Sequence, residues 1–217
     1  MKHLVITGDR NGATDHDFTG AFEPESNRCA KYWREQGDQV DVVRVDLSQR
    51  DSARVAQMTA ALRASAPVDR LALFCHGWQT GIQLGLSISS RAELDELAAF
   101  ATALACASTD ALKIALYCCS TGGSDSPLGV GSFADQLRFS LVAAGRRDAT
   151  VFAHRVAGHT TRNAAIRLFG PRMVGGVDLG TTHEARARLD AQLHAGSDPL
   201  RWTLPYLPID QARALYP

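Results

Sequence analysis

The sequence predicts an α/β protein: an open, mostly parallel sheet with helices on both faces. Three observations lead there. Five short segments, His3–Gly8, Val40–Asp46, Leu71–Cys75, Lys113–Cys118 and Thr150–Val156, are rich in apolar or β-branched residues, as strands covered on both faces are. The stretches between them carry apolar residues at helical spacing. Strand and helix alternate along the run, which calls for parallel strands joined by right-handed crossovers.

After the first strand, Ser26–Gln36 is expected as a helix with Ser26 as N-cap and Gly37 as its stop. The β-branched run Val40–Asp46 follows as the second strand. Ser48–Ala64, with Val55, Met58 and Leu62 on one face, is the crossover helix before Pro67 and the third strand, Leu71–Cys75. Beyond His76 and Gly77 the period changes. Ile82, Leu84, Leu86 and Ile88 alternate with Gln83, Gly85 and Ser87, which suits a short strand or hairpin. Ser90 and Glu93 form a capping box ahead of a helix whose apolar face is Leu94, Leu97, Ala98, Ala101, Leu104 and Ala105.

Lys113–Cys118 is the fourth strand. Ser132–Ala144 is a helix with Phe133, Leu137 and Leu141 on one face and Gly145 at its end, and Thr150–Val156 is the fifth strand. Past Gly158 the pattern weakens. Thr161–Leu168 and Glu184–His194 read as helices, and Arg201–Leu207 as a last edge strand, with Trp202 and Tyr206 closing the sheet. No composition break marks a second domain, so residues 1–217 are read as one domain, with a core over 1–158 and an extension, 159–217, packed on the sheet edge.

The charge is balanced, with 23 basic and 23 acidic residues and no concentrated run of Lys and Arg, which argues against a nucleic-acid partner. No segment approaches the ~20 apolar residues that span a bilayer, and the opening MKHLVITGDRNG is too short in apolar residues for a secretory signal; no membrane partner is expected. The five cysteines, Cys29, Cys75, Cys106, Cys118 and Cys119, follow no regular spacing. That suits free thiols in a reducing compartment, and a cytoplasmic location is expected.

Two of the strands stop on reactive side chains. LALFCHG, Leu71–Gly77, ends in His76 and Gly77; IALYCCSTGG, Ile114–Gly123, ends in Cys118, Cys119 and Ser120. Carboxyl ends of parallel strands share one rim, with neighbours ~4.8 Å apart, so an imidazole and a thiol can meet there. A cysteine attacks carbonyl carbon as thiolate, and a histidine within hydrogen-bond reach takes its proton. His76 is read as the base and Cys119 as the nucleophile, with the Gly77 backbone N–H as an oxyanion donor and that of Cys119 as a second. Cys118 belongs to the strand's alternation and is read as packed; Cys29, Cys75 and Cys106 are read as core.

This arrangement resembles the caspase-like cysteine peptidases, the group of caspases, gingipains, legumains, separases and bacterial CHAT domains. They share an apolar strand ending in His-Gly, a hairpin, a helix and an apolar strand ending in the catalytic Cys. Cys119–Gly122, CSTG, is similar to the Cys-x-Thr-Gly ending frequent in CHAT domains, and the resemblance covers roughly Met1 to Val156 in element order. Trp78 stands after Gly77 where small residues are common in those families, and Cys118 stands before the nucleophile where alanine is common. The resemblance implies a caspase-like fold and a cysteine endopeptidase acting on protein or peptide through an acyl-enzyme, with His76 as general base, Cys119 as nucleophile, Gly77 as oxyanion donor and no cofactor.

Two other readings stay open. CCSTGG is similar to the nucleophile elbow of α/β-hydrolases with Cys118 in place of the first glycine. Ser120 would then be the nucleophile of an esterase, and His159 or His183 with Asp178 would complete the triad. A catalytically silent binding module on the same fold is the other. Around the rim, Asp9 and Arg10 of the first loop and Arg155 at the fifth strand's end are read as substrate-binding. With His154, His159 and Arg162 the latter suits an acidic side chain, while Asp9, Asp15 and Asp17 suit a basic one. No metal site is expected: Asp15, His16 and Asp17 are consecutive and diverge, and no CxxC pair is present. GDRNG lacks the GxGxxG spacing of a dinucleotide site.

Overall fold

The computed structural model describes residues 1–9, 22–157, 165–171 and 173–178. Along the chain run β1 (Lys2–Gly8), α1 (Phe22–Glu35), β2 (Gln39–Val45), α2 (Asp51–Ser65), β3 (Val68–Phe74), the short strands β4 (Gly77–Trp78), β5 (Gly81–Ile82) and β6 (Leu86–Ser87), α3 (Arg91–Ala107), β7 (Ser108–Tyr117), α4 (Phe133–Ala143), β8 (Thr150–His154), β9 (Ile166–Phe169) and β10 (Val177–Asp178). The main sheet has the order β2-β1-β3-β7-β8-β9-β10. Its first five strands are parallel, β9 runs antiparallel to β8, and β10 runs antiparallel to β9. This is the open α/β arrangement the sequence predicts, in the caspase-like order of elements.

Strand alternation divides the core into two layers. Leu4, Ile6, Leu71, Leu73, Cys75, Ile114, Leu116 and Cys118 face α2, α3 and α4. Val5, Ala72, Phe74, Ala115 and Tyr117 face Phe22, Cys29 and Trp33 of α1. Helices therefore cover both faces, and the central strands read as continuous apolar runs because neither face is wet. The strand order reverses between β1 and β3, the place where an open α/β sheet leaves a crevice at its carboxyl rim.

The helix caps explain how the chain turns at each end. Ser90 accepts the Glu93 N–H at 3.3 Å and Ser132 accepts the Asp135 N–H at 3.3 Å. Gly145 follows α4 with φ of 94° and Gly37 follows α1 with φ of 85°, left-handed stops that glycine adopts without strain. The alternating Ile82–Ile88 segment forms a three-stranded antiparallel ribbon, β4-β5-β6, in which Ile82, Leu84 and Leu86 are buried.

Several expectations are corrected. Ser26 is no N-cap: α1 starts at Phe22, Pro24 sits in its first turn where a missing N–H is harmless, and the Ser26 hydroxyl donates to Glu23 O at 2.9 Å. Helix α2 starts at Asp51 rather than at Ser48, with Arg50 at its cap position. Helix α3 buries Phe100 with Leu97, Ala101, Leu104 and Ala105, leaving Ala98 and Cys106 exposed because both lie off that stripe. The segment expected to be helical up to Leu168 contains β9, which pairs antiparallel with β8. Arg10, His159, Arg162, His183, Glu184–His194, Arg201–Leu207, Trp202 and Tyr206 lie outside the described residues. No helix among the described residues is long and apolar enough to cross a membrane.

Candidate active site

The register of β3 and β7 positions the two reactive side chains. Phe74 pairs with Tyr117, and His76 and Cys119 each stand two residues further on. Phe74 and Tyr117, the last residues of β3 and β7, face α1. His76 is confirmed on that side by Phe22, whose ring meets the imidazole edge-on with centroids 4.8 Å apart. On β1, Thr7 pairs with Phe74, so Asp9 is level with His76. On β8, Leu116 pairs with Ala153, so Val156 is level with Cys119. Asp9, His76, Cys119 and Val156 thus follow the carboxyl ends of four neighbouring parallel strands.

His76 is half-buried, and its Nε2 is sealed from solvent with no hydrogen-bond partner among the described residues. An unsatisfied buried nitrogen costs about 1–3 kcal/mol. The cysteine pair divides as the alternation demands. Cys118 is fully buried, its sulfur 3.4 Å from that of Cys75 and donating to Leu73 O at 3.6 Å. Burial pushes its thiol well above the usual range, and the hydrogen bond with Cys75 pushes it the same way. Cys119 is only half-buried. All five cysteines are free thiols, Cys29 raised above the ordinary range by burial and then by Glu25.

Gly77 sits where the two rim segments touch. A Cβ there would lie 2.7 Å from Cys118 Cβ, 2.9 Å from Thr121 Cγ2 and 3.0 Å from Cys119 O. The missing side chain is what lets the cysteine loop seat against the histidine strand, a role the sequence does not announce. Gly77 pairs with Ile82 across β4 and β5, while the Gln83 N–H donates to His76 O at 3.0 Å. That makes Gly77–Ile82 a non-hydrogen-bonded pair, so the Gly77 N–H points away from the ribbon. Trp78 is 45% exposed and lies over Gly81, where a Cβ would be 3.0 Å from its Nε1.

After Cys119 the backbone reverses at Ser120, a non-glycine residue with φ of 58°, a conformation that costs roughly 1–2 kcal/mol and is held by its surroundings. Ser120 N–H donates to Val156 O at 3.3 Å, Gly122 N–H to His154 O at 2.8 Å, and the Thr121 hydroxyl to Cys118 O at 3.0 Å. The first turn of α4 ties in as well, Ala134 N–H reaching Thr121 O at 3.0 Å and Phe133 N–H reaching Gln79 O at 2.8 Å. The loop is fastened to β8 on one side and to the helix on the other.

Of the substrate-binding candidates, Asp9 stands at the rim with its N–H on Val45 O at 2.8 Å. Arg155 is exposed and bonds Asp178 at 2.6 Å. Asp178 also holds Arg167, so the carboxylate proposed for a serine triad is occupied by two guanidinium groups. His154 is buried beside Tyr117, ring centroids 6.1 Å apart. Arg167 is a residue the sequence reading missed. The signal was a charged side chain inside the apolar run IRLF. Among the described residues, no group of three or more His, Cys, Asp or Glu side chains is gathered for a metal ion.

The family described as a domain of unknown function (DUF4347) matches residues 30–144, a span over half the chain that contains His76, Gly77 and Cys119. No curated protein matches this sequence.

Proposed function

The chain belongs to the family described as a domain of unknown function (DUF4347), and we propose that it is a cysteine endopeptidase of the caspase-like group. The observation that carries this reading is the shared register: His76 and Cys119 each follow the paired Phe74 and Tyr117 by two residues on neighbouring parallel strands. The half-buried Cys119 beside the fully buried Cys118 supports it. In this reading His76 takes the Cys119 proton, and the thiolate attacks the scissile carbonyl carbon of a protein or peptide substrate. The oxyanion so formed accepts from the Gly77 N–H. His76 returns the proton to the departing amine, leaving a thioester on Cys119. Water, deprotonated by His76, then attacks that thioester and releases the carboxylic acid and the free thiol.

Five unpaired cysteines suit work in a reducing compartment such as the cytoplasm. The balanced charge supports a polypeptide rather than a nucleic-acid partner. A second reading, a serine hydrolase through Ser120, is favoured by the left-handed backbone of that residue, the turn a nucleophile elbow uses. The occupation of Asp178 by Arg155 and Arg167 weighs against it.

The test is covalent labelling of wild type, Cys119→Ala, Cys118→Ala and Ser120→Ala with a thiol-directed and a serine-directed activity probe. Thiol labelling lost with Cys119→Ala and kept in the other two is the expected result. Serine labelling abolished by Ser120→Ala moves the assignment to the hydrolase, and silence towards both probes leaves a binding module.

A further inference from the structure

We propose that Arg167 is a positioning residue for the cysteine loop, a buried guanidinium that fixes the backbone directly after Cys119; this rests on the peptidase reading of that cysteine. Arg167 is 3% exposed. Its Nη1 donates to Gly122 O at 3.1 Å and its Nη2 to Pro127 O at 2.8 Å, while Nε bonds Asp178. Every arm of the fork is therefore engaged, two on carbonyls of the loop and one on the carboxylate that balances the charge. A buried cation is tolerated only with such pairing, and a lysine, with a single point donor, cannot reproduce the fork.

The glycines around the side chain show that the loop is shaped to it. A Cβ on Gly129 would run into Arg167 Nη1, and one on Gly176 would lie 2.6 Å from its Cγ. Gly122 O, which Arg167 holds, belongs to the residue whose N–H is held by His154 O at 2.8 Å. That peptide segment is pinned from both ends, three residues after the sulfur. Asp178 extends the chain of contacts to the exposed Arg155 at 2.6 Å, so β9, β10 and the end of β8 are joined to the loop through one carboxylate. Arg167 touches no reacting atom; it acts by keeping Cys119 level with His76.

The experiment follows iodoacetamide alkylation at each cysteine by peptide mass spectrometry, in wild type, His76→Ala, Arg167→Lys and Arg167→Met. Exposed Cys106 serves as internal reference. The control is Arg146→Lys, because Arg146 also uses several donors, on Ser108 and Asp110, but at the opposite end of β7. An unassisted thiol is only a few per cent thiolate at neutral pH. The Arg167 variants should therefore label Cys119 about tenfold more slowly relative to Cys106, as His76→Ala does. Cys29, Cys75 and Cys118 should stay protected, and Arg146→Lys should leave the ratio unchanged.

General loosening predicts the opposite pattern, with the three buried cysteines opening together, and that result overturns the proposal. If His76→Ala leaves the Cys119 rate unchanged, the peptidase reading fails by itself. The clamp is then read from amide hydrogen exchange over residues 120–127: faster in Arg167→Lys than in Arg146→Lys upholds it, and equal rates overturn it.

Discussion

At Gly77 a methyl group would meet Cys118 Cβ at 2.7 Å and the backbone oxygen of Cys119 at 3.0 Å. Neither is the loose end of a side chain, so Gly77→Ala must move the cysteine loop or the ribbon. Overpacking of this kind costs about 2 kcal/mol, a fall of roughly 6 °C in Tm for a chain this size. Calorimetry on Gly77→Ala should show that loss, and under the proposed dyad Cys119 labelling should fall with it because the cysteine loop shifts against the His76 segment. An unchanged Tm together with unchanged labelling would show that the contact between the two rim segments is looser than these distances. The sequence reading placed a glycine at the right position for a different reason, close approach of substrate. What it could not contain was the neighbour, since Cys118 and Thr121 lie more than 40 residues further on and only the register brings them there.

At the scale of elements, Ser132 decides how α4 meets the site. It is fully buried and accepts the Asp135 N–H at 3.3 Å, and the two residues after it donate to Gln79 O and Thr121 O. Ser132→Ala removes a cap worth about 1 kcal/mol and leaves a buried N–H without its acceptor. Urea unfolding should therefore show a loss of about 1–2 kcal/mol, larger than that of the exposed equivalent Ser90→Ala on α3; equal losses would mean that burial adds nothing to the cap. The Ser90 cap was legible because serine followed three residues later by an acidic side chain, just before an apolar stripe, is a local signal. The central strands were legible for a related reason: Leu71–Phe74 and Ile114–Tyr117 are covered on both faces and need no partner in view to declare themselves. Strand β9 was not. IRLF has no alternation because Arg167 is buried among the residues it bonds, Gly122, Pro127 and Asp178, and a charge that becomes a core residue only through tertiary contacts reads locally as a polar helix position. The start of α1 was obscured by Pro24, which reads as a breaker until its place in the first turn is known.

The whole molecule responds to acid through the end of the sheet opposite the site. His3 is fully buried on β1, stacked on Trp33 with ring centroids 4.1 Å apart, and its Nε2 bonds Asp38 at 2.8 Å. Its Nδ1 has no partner, so a second proton would enter the core with nothing to receive it. Burial, chiefly, lowers its pKa from 6.5 to about 4; the Asp38 hydrogen bond opposes that shift, and Arg70 and the chain's amino terminus add to it. Between these values the unfolded chain holds a proton that the folded chain refuses, so stability falls as pH drops through that window. Asp38 has its pKa lowered, its own desolvation outweighed by its bonds to the amino terminus and His3. Its contribution is present above the unfolded carboxylate range and is lost below it, which continues the decline towards stronger acid. Chemical denaturation at pH 7.5 and 4.5 should show wild type losing about 2–3 kcal/mol more than His3→Phe, which keeps a ring against Trp33 but cannot titrate. The proposed thiol chemistry lies at the far rim of the same strands, so the comparison is made on unfolding midpoints and not on activity. Parallel loss in both proteins would place the acid sensitivity elsewhere and show that the core admits a charged imidazole after all.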